Sequence, residues 1–208
     1  MLSLDLTHPQ SPREARSAVP RELRPYLKCE RCGLHRFRRY VVIGEGDLPC
    51  DVLFIGEAPG RAENLMARPF VGASGRLLRS AIAAALRRSN RSLSPPRMYV
   101  TNTVACRPCN SKRGPNREPT EREVRTCLGR LDMVARLARP RRVVLLGKVA
   151  EVHCAGRFPG ALCLYHPAYI ARRGGEGSSE YQRFVRELQD LFKGTPRRKV
   201  LRRRRRRI

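Results

Sequence analysis

The 208-residue sequence contains no long uninterrupted apolar run and comparatively few acidic residues. Its longest apolar runs fall well short of the roughly 18 residues that a membrane span needs, so we expect no membrane association. The N-terminal segment also lacks the apolar core of a secretory signal, which favours the reducing cytoplasm. In that compartment the eight cysteines are expected to be free thiols or metal ligands rather than disulfides.

The scarcity of acidic residues leaves a strong positive charge. Lysine and arginine together number 44 against 18 acidic residues, which gives a net charge of +26. Such a charge predicts a polyanionic partner, most simply nucleic acid, and with it an association with the nucleoid. Ten basic residues and no acidic one follow Asp190, but removing them still leaves +16 on the rest of the chain. Codon bias in a GC-rich genome is an alternative explanation for the excess of arginine over lysine, but not for the net charge.

Apolar runs alternate with helical patterns along the chain. Each run ends in a glycine, an asparagine or a His-Pro pair, and the runs predict buried strands at 52–55, 98–104, 142–146 and 161–165. Helical periodicity is present at 74–86, 120–137 and 179–192. This alternation predicts an α/β fold, a three-layer α/β/α sandwich with a central four-stranded, mostly parallel sheet. The functional site of such a sheet lies at the carboxyl ends of its strands.

Composition also divides the chain into three parts. Residues 1–25 mix proline, serine and charges without periodicity, and we expect a flexible N-terminal arm. The strands and helices predict one globular domain over residues 26–192. Residues 193–208 are rich in arginine and low in complexity, which predicts a disordered tail.

Five short motifs occur in a fixed order. They are CERC at 29–32, GEAPG at 56–60, PFVG at 69–72, TNTVACRP at 101–108 and YHPAY at 165–169. No single motif is specific, but together they resemble the iron–sulfur-containing fourth family of uracil-DNA glycosylases over about residues 29–192. The resemblance implies a hydrolase that releases uracil from DNA and leaves an abasic site, as the first step of base excision repair. No lysine occupies a motif position, so we expect a monofunctional glycosylase without a Schiff-base lyase step.

Four cysteines are candidate metal ligands. The resemblance implies that the pair Cys29 and Cys32 joins Cys106 and Cys127 to hold a [4Fe-4S] cluster. Cys109 competes with Cys106 because the stretch before Cys127 is about five residues longer than the family pattern; Cys106 is preferred because it directly precedes Arg-Pro. The spacing alone favours the alternative, a structural zinc site.

A glycosylase flips its target nucleotide out of the duplex into a pocket. In the resembling enzymes a histidine matching His166 contacts uracil O2 and stabilises the uracil anion. Asn102 can both donate and accept a hydrogen bond, which complements the O4 and N3–H edge of uracil and mismatches cytosine. Glu57 is expected to hold the attacking water or stabilise the cationic sugar, because Ala58 stands where the first family has its water-activating aspartate. The predicted catalytic residues are therefore Glu57, Asn102 and His166.

The predicted uracil-binding residues are Gly56, Glu57, Ala58, Phe70, Asn102 and His166, with Phe70 as the stacking ring. Three of them also fit purely structural roles. Phe70 fits a core aromatic, Asn102 a turn residue, and Glu57 a carboxylate that hydrogen-bonds loop amides.

The segment after the His-Pro pair is expected to contact DNA. By resemblance it inserts a side chain where the base has left the stack, with Ile170 as the first candidate and Tyr169 as the second. Phosphates are expected to bind four arginines, Arg107, Arg117, Arg172 and Arg173. The predicted partner is uracil-containing DNA, bound by a monomer. Two alternatives remain, a glycosylase with a different base range and a non-catalytic nucleic-acid-binding protein on the same scaffold.

Overall fold

A five-stranded sheet forms the middle layer of the computed structural model, which describes residues 11–92 and 94–195. The strands are β1 Glu45–Gly46, β2 Val52–Gly56, β3 Met98–Asn102, β4 Arg142–Leu146 and β5 Leu162–Leu164, in the spatial order β1-β3-β2-β4-β5. β2 pairs in parallel with β3 and β4, and β4 with β5, whereas β1 is antiparallel to β3. The predicted α/β class and mostly parallel sheet are confirmed. The fifth strand, β1, was not predicted because two residues carry no periodic pattern.

Helices cover both faces of the sheet. They are α1 Pro12–Ser17, α2 Arg61–Met66, α3 Ala73–Arg88, α4 Glu121–Ala138, α5 Lys148–Cys154, α6 Pro167–Arg172 and α7 Ser179–Gly194. Short 3-10 helices occur at Arg21–Lys28, Gly33–Arg36, Ala155–Arg157 and Gly175–Gly177. Within the described ranges no helix combines the length and the apolar character that crossing a membrane requires.

Strand β2 shows how the sheet is buried on both sides. All five of its residues are buried, as expected for a parallel strand with a continuous apolar sequence. Val52 and Phe54 pack in one core cluster with residues of α3, α6 and α7. Leu53 and Ile55 pack in the other with residues of α4 and α5, because successive side chains of a strand point to opposite faces. The three-layer arrangement follows from these two clusters.

Part of the expected N-terminal arm is folded, which corrects the prediction for residues 11–25. Ser11 caps α1 through a reciprocal pair of hydrogen bonds with Glu14. Val19 and Leu23 are buried against the face of the sheet that α4 covers. The remainder of the arm, residues 1–10, lies outside the described residues. So do residues 196–208 of the predicted tail, and α7 extends to Gly194, past the predicted start of that tail.

Candidate active site

A cavity of about 640 Å³ lies at the carboxyl edge of the parallel strands, and residues at or just after the ends of β2, β3 and β5 line it. Parallel strands bring the loops that follow them to one edge of the sheet, so residues distant in sequence converge there. The cavity wall includes five of the six residues predicted to bind uracil, namely Glu57, Ala58, Phe70, Asn102 and His166. The structure therefore brings the predicted residues together in one place.

The sixth residue, Gly56, lies directly behind two of them. A Cβ atom at this position would stand 2.6 Å from Asn102 Oδ1 and 2.6 Å from Phe70 Cζ. Both distances are far shorter than a van der Waals contact, so only glycine allows the Asn102 amide and the Phe70 ring to occupy their positions. Gly56 thus shapes the cavity without contributing a side chain.

Phe70 is both a core residue and a wall of the cavity. Its side chain is 6% exposed and packs in the cluster formed with α3 and α7. Its backbone has a positive φ of 53°, which is uncommon for a residue other than glycine. Arg79 donates a hydrogen bond of 2.8 Å to the Phe70 carbonyl oxygen, which helps to hold this conformation. Phe70 therefore has the core role that sequence analysis considered for it, and it also lines the cavity.

His166 caps the N-terminus of α6 and faces the cavity. Its Nδ1 atom accepts a hydrogen bond of 3.1 Å from the backbone N–H of Ala168, so the neutral ring carries its proton on Nε2. Burial, and to a lesser extent the charge of Arg172, lowers the pKa of His166 from 6.5 to about 4. The ring stacks at a centroid distance of 6.2 Å and an angle of 27° on Phe70. At neutral pH this residue is a neutral hydrogen-bond donor.

Glu57 is half-buried in the loop that follows β2. Burial first, and then the negative charge of Glu118, raises the pKa of the Glu57 carboxyl above its ordinary value. Both carboxyls line the cavity. Such a group becomes a carboxylate at a higher pH than an exposed glutamate does, and it can then accept a hydrogen bond from a water molecule.

Sequence reasoning missed Glu63, which ties two loops of the cavity together. Its buried carboxylate accepts hydrogen bonds from the backbone N–H of Gly60 (3.1 Å) and of Gly72 (2.8 Å). Sequence analysis considered Glu57 as a residue that hydrogen-bonds loop amides. In the structure Glu63 makes such hydrogen bonds. The signal was a glutamate three residues after the cap position of a helix, as in a capping box.

Arg107 corrects one of the predicted DNA contacts. Its side chain is 2% exposed and donates to Asn116 Oδ1 (2.6 Å) and to the carbonyl oxygens of Lys112 (3.3 Å) and Gly114. A guanidinium enclosed by its own loop is not free to bind a phosphate, so this residue organises residues 110–117 instead. Asn116, which accepts one of these hydrogen bonds, lines the cavity.

Arg117 also lines the cavity, but its charge is engaged. It forms a bidentate ion pair with Glu123 at 2.7 and 2.8 Å, and its Nε donates to Asn110 Oδ1. This pairing holds the pKa of the Glu123 carboxyl below its ordinary value. The same carboxylate accepts the backbone N–H of Thr120, so Arg117 joins the loop to the start of α4.

Helix α6 corrects the prediction for Ile170. This side chain is fully buried in the core cluster, because it lies three residues after the buried Pro167 on the same side of the helix. It cannot reach DNA in this arrangement. Tyr169 is half-buried, with its ring 5.1 Å from that of Tyr165 and the guanidinium of Arg173 5.4 Å above it.

The two arginines at the end of α6 keep the exposure that phosphate binding requires. Arg172 and Arg173 are both exposed, and Arg172 borders the cavity. Of the four arginines predicted to bind phosphates, these two are the exposed ones, and Arg172 places its charge at the cavity.

The four predicted metal ligands lie within electrostatic reach of one another. Burial first, and then the charges of Cys127, Cys32 and Cys29, raise the pKa of the Cys106 thiol to about 12, against the opposing effect of Arg38. Burial and the same neighbouring thiols also raise the pKa of Cys32. No three His, Cys, Asp or Glu side chains of the described residues surround one point closely enough to hold a single metal ion.

Cys109, the competing ligand, has different surroundings. Its buried Sγ atom lies 3.8 Å from the Arg107 carbonyl oxygen. Sequence analysis preferred Cys106, and the thiols of the other three predicted ligands are among the charges that act on it.

Comparison with known proteins gives a consistent result. The uracil DNA glycosylase superfamily matches residues 43–189. The type-4 uracil-DNA glycosylase of Pyrobaculum aerophilum is 36% identical over 169 residues, 70% of this chain and 80% of that protein. The enzymes of the same name from Archaeoglobus fulgidus and Thermotoga maritima are 32% and 38% identical, over 81% and 80% of this chain and 90% and 87% of their own lengths. This chain therefore belongs to the uracil-DNA glycosylase superfamily.

Proposed function

We propose that this protein is a monofunctional uracil-DNA glycosylase that hydrolyses the N-glycosidic bond of deoxyuridine in DNA. The products are free uracil and an abasic site. The observation that carries the proposal is the cavity, where a neutral histidine, an asparagine and an aromatic ring converge at one edge of the sheet. Together they provide the stacking surface, the base-edge reader and the hydrogen-bond donor that excision of a flipped base requires.

Recognition of uracil would depend on Asn102 and Phe70. The Asn102 amide can donate to uracil O4 and accept from N3–H, whereas cytosine presents a donor and an acceptor in the opposite order. Asn102 is 3% exposed and its Oδ1 lies beside Gly56, so the amide has little freedom to turn away. Phe70 would stack on the base.

Bond cleavage would depend on the neutral state of His166. As the bond between C1′ and N1 breaks, negative charge develops on uracil, and the Nε2–H of His166 can donate a hydrogen bond to O2. The low pKa keeps the ring neutral, so His166 stabilises the anion while retaining its proton. Glu57 would hold the water whose hydroxyl adds to C1′ and whose proton restores neutral uracil.

We infer that Cys29, Cys32, Cys106 and Cys127 hold a [4Fe-4S] cluster with a structural role. A zinc ion would draw four sulfurs to about 3.8 Å from one another, given Zn–S bonds of about 2.3 Å. A four-iron cluster binds one thiolate on each iron and spaces the sulfurs more widely. Four thiols whose charges act on one another suit either centre, and the resemblance to the iron–sulfur-containing glycosylases favours the cluster. When bound, the cluster would join the segment before β1 to the loop after β3.

DNA binding would place Arg172 and Arg173 against phosphates at the cavity mouth, with Tyr169 as the remaining candidate to enter the duplex. Arg117 would add to this surface only through the part of its charge that Glu123 leaves uncompensated. The protein would act as a monomer in the cytoplasm and associate with the nucleoid through its positive charge.

The test is cleavage of a labelled oligonucleotide that contains one uracil, single-stranded or paired with guanine. Alkali-dependent strand breakage is expected from the wild type and should fall by at least about 100-fold in Asn102→Ala and His166→Ala. His153→Ala is the matched control for His166→Ala, because its side chain does not line the cavity, and it should cleave normally. A folded, DNA-binding wild-type protein that releases no uracil would refute the proposal, and release of another base instead would indicate a different base range.

A further inference from the structure

Arg130 is the bulkiest of the fully buried side chains in the described part of the chain. It lies on α4, one turn after Cys127, and only 2% of it is exposed. Burying a guanidinium is costly unless its charge and its N–H groups find partners, so its contacts should reveal what it does.

The guanidinium holds the end of β3 from behind the cavity. Nη2 donates to the carbonyl oxygens of Asn102 and of Thr103, the second at 3.0 Å. Nη1 donates to Thr101 Oγ1 at 2.8 Å and to the Ile43 carbonyl oxygen at 3.3 Å. Thr101 in turn donates to the same Ile43 oxygen at 2.6 Å. Three consecutive residues of the base-reading strand end are thus bound to one side chain.

The other contacts of Arg130 concern its charge. Among the described residues no carboxylate pairs with it, and its buried Nε has no hydrogen-bond partner. Nη2 also lies 4.0 Å from Cys127 Sγ, which can carry a negative charge as a thiolate ligand. The guanidinium therefore lies between the end of β3 and Cys127, and it can move only if one of the two moves.

We propose that Arg130 is the positioning residue for Asn102, fixing the backbone from which the amide reads the base. The proposal rests on the function proposed above. Arg130 does not line the cavity, so it would act on uracil only through the end of β3. Lysine at this position keeps the charge but cannot bind two adjacent carbonyl oxygens and a hydroxyl in the same plane.

A double-mutant cycle separates positioning from a general loss of structure. Arg130→Lys should lower kcat/KM on uracil-containing DNA by about 10- to 100-fold, the range that corresponds to loss of a charged hydrogen bond. In an Asn102→Ala background the same change should cost less than about threefold, because its target is already gone. An equal loss in both backgrounds would overturn the proposal.

Arg91→Lys is the matched control. Arg91 is also a buried arginine with an unpartnered Nε, but it donates to the Thr195 carbonyl oxygen and lies outside the cavity. Arg91→Lys should lower the melting temperature without changing kcat/KM by more than about threefold, in the wild type or in Asn102→Ala. A loss of kcat/KM as large as that of Arg130→Lys would show that any buried arginine has this effect, and would also overturn the proposal.

Amide hydrogen exchange tests the proposal without catalysis. The N–H groups of Thr103 and Val104 donate to the carbonyl oxygens of Gly56 (2.8 Å) and Glu57 (3.0 Å), which joins the two loops of the cavity. Arg130→Lys should accelerate exchange at these two amides, whereas Arg91→Lys should not. Unchanged exchange would refute the positioning role. A wild type that cleaves no uracil would instead refute the proposed function and leave the exchange result to decide the role of Arg130.

Discussion

Replacing His166 tests the proposed chemistry most directly. His166→Ala removes an imidazole that lines the cavity and whose tautomer is set by the hydrogen bond of 3.1 Å from the Ala168 amide. Loss of a donor aimed at developing negative charge costs about 100- to 1000-fold in rate, or about 2.7–4 kcal/mol. We expect kcat to fall by this factor, and binding of uracil-containing DNA to change far less.

The lowered pKa of His166 also predicts how the free energy of unfolding changes with pH. Its lowering from 6.5 to about 4 corresponds to about 3 kcal/mol in favour of the neutral ring. Because the unfolded chain takes up this proton first, the penalty is absent above pH 6.5, grows as the pH falls, and is complete below about 4. We therefore expect the free energy of unfolding to decline over this window, and to decline less in His166→Ala.

Two measurements check this reasoning. The first is single-turnover cleavage from pH 5 to 8 by the wild type and His166→Ala. The second is the titration of the His166 ring by NMR, with His153 as an internal reference on α5. The wild-type ring should remain neutral throughout the range. A His166 ring that titrates near 6.5, or a His166→Ala variant that retains more than about a third of the wild-type rate, would refute the proposed role.

Three further predictions concern other residues. The wild-type cleavage rate should fall at acidic pH as the Glu57 carboxylate takes up a proton. Glu57→Gln should remove this fall, measured as cleavage rate against pH. Glu118→Gln should move this fall in rate to lower pH, because it removes a charge that raises the pKa of Glu57. A fall at unchanged pH would contradict its assignment to Glu57. Arg107→Met should lower the free energy of unfolding by about 1–3 kcal/mol, measured in denaturant, since it leaves Asn116 and two carbonyl oxygens without their donor. Cys127→Ser should reduce the iron bound per chain and the melting temperature together, and full iron content would exclude it as a ligand.

The sheet was largely predictable because its strands are buried on both faces. A continuous apolar run identifies such a strand, and the run at 142–146 coincides with β4. The predicted strand at 98–104 ends early, at Asn102, because the amides of Thr103 and Val104 donate to the last residue of β2 and to the residue after it. The helices α2, α5 and α6 are six or seven residues long and are too short for periodicity to show.

The convergence of the site residues followed from strand order, but their exposure did not. Asn102 ends β3, and Glu57 and His166 follow β2 and β5, so a parallel sheet had to bring them to one edge. Whether a side chain there faces solvent depends on what packs over it, which no local pattern encodes. Arg107 is enclosed by its own loop, and Ile170 turns to the core. The catalytic roles of Glu57, Asn102 and His166 stay predictions, as do the DNA contacts of Tyr169, Arg172 and Arg173.

The absence of a side chain at Gly56 restricts how the base range of this enzyme can change. Position 56 has nothing to trim, and any added atom must displace the Asn102 amide or the Phe70 ring. Substitution there can therefore only shrink or distort the space for a base. A variant that accepts a larger base, such as a purine, would have to gain its room elsewhere in the cavity wall. The loops at Gly60 and Gly72 are candidates, because they are held by hydrogen bonds to Glu63 rather than by a strand.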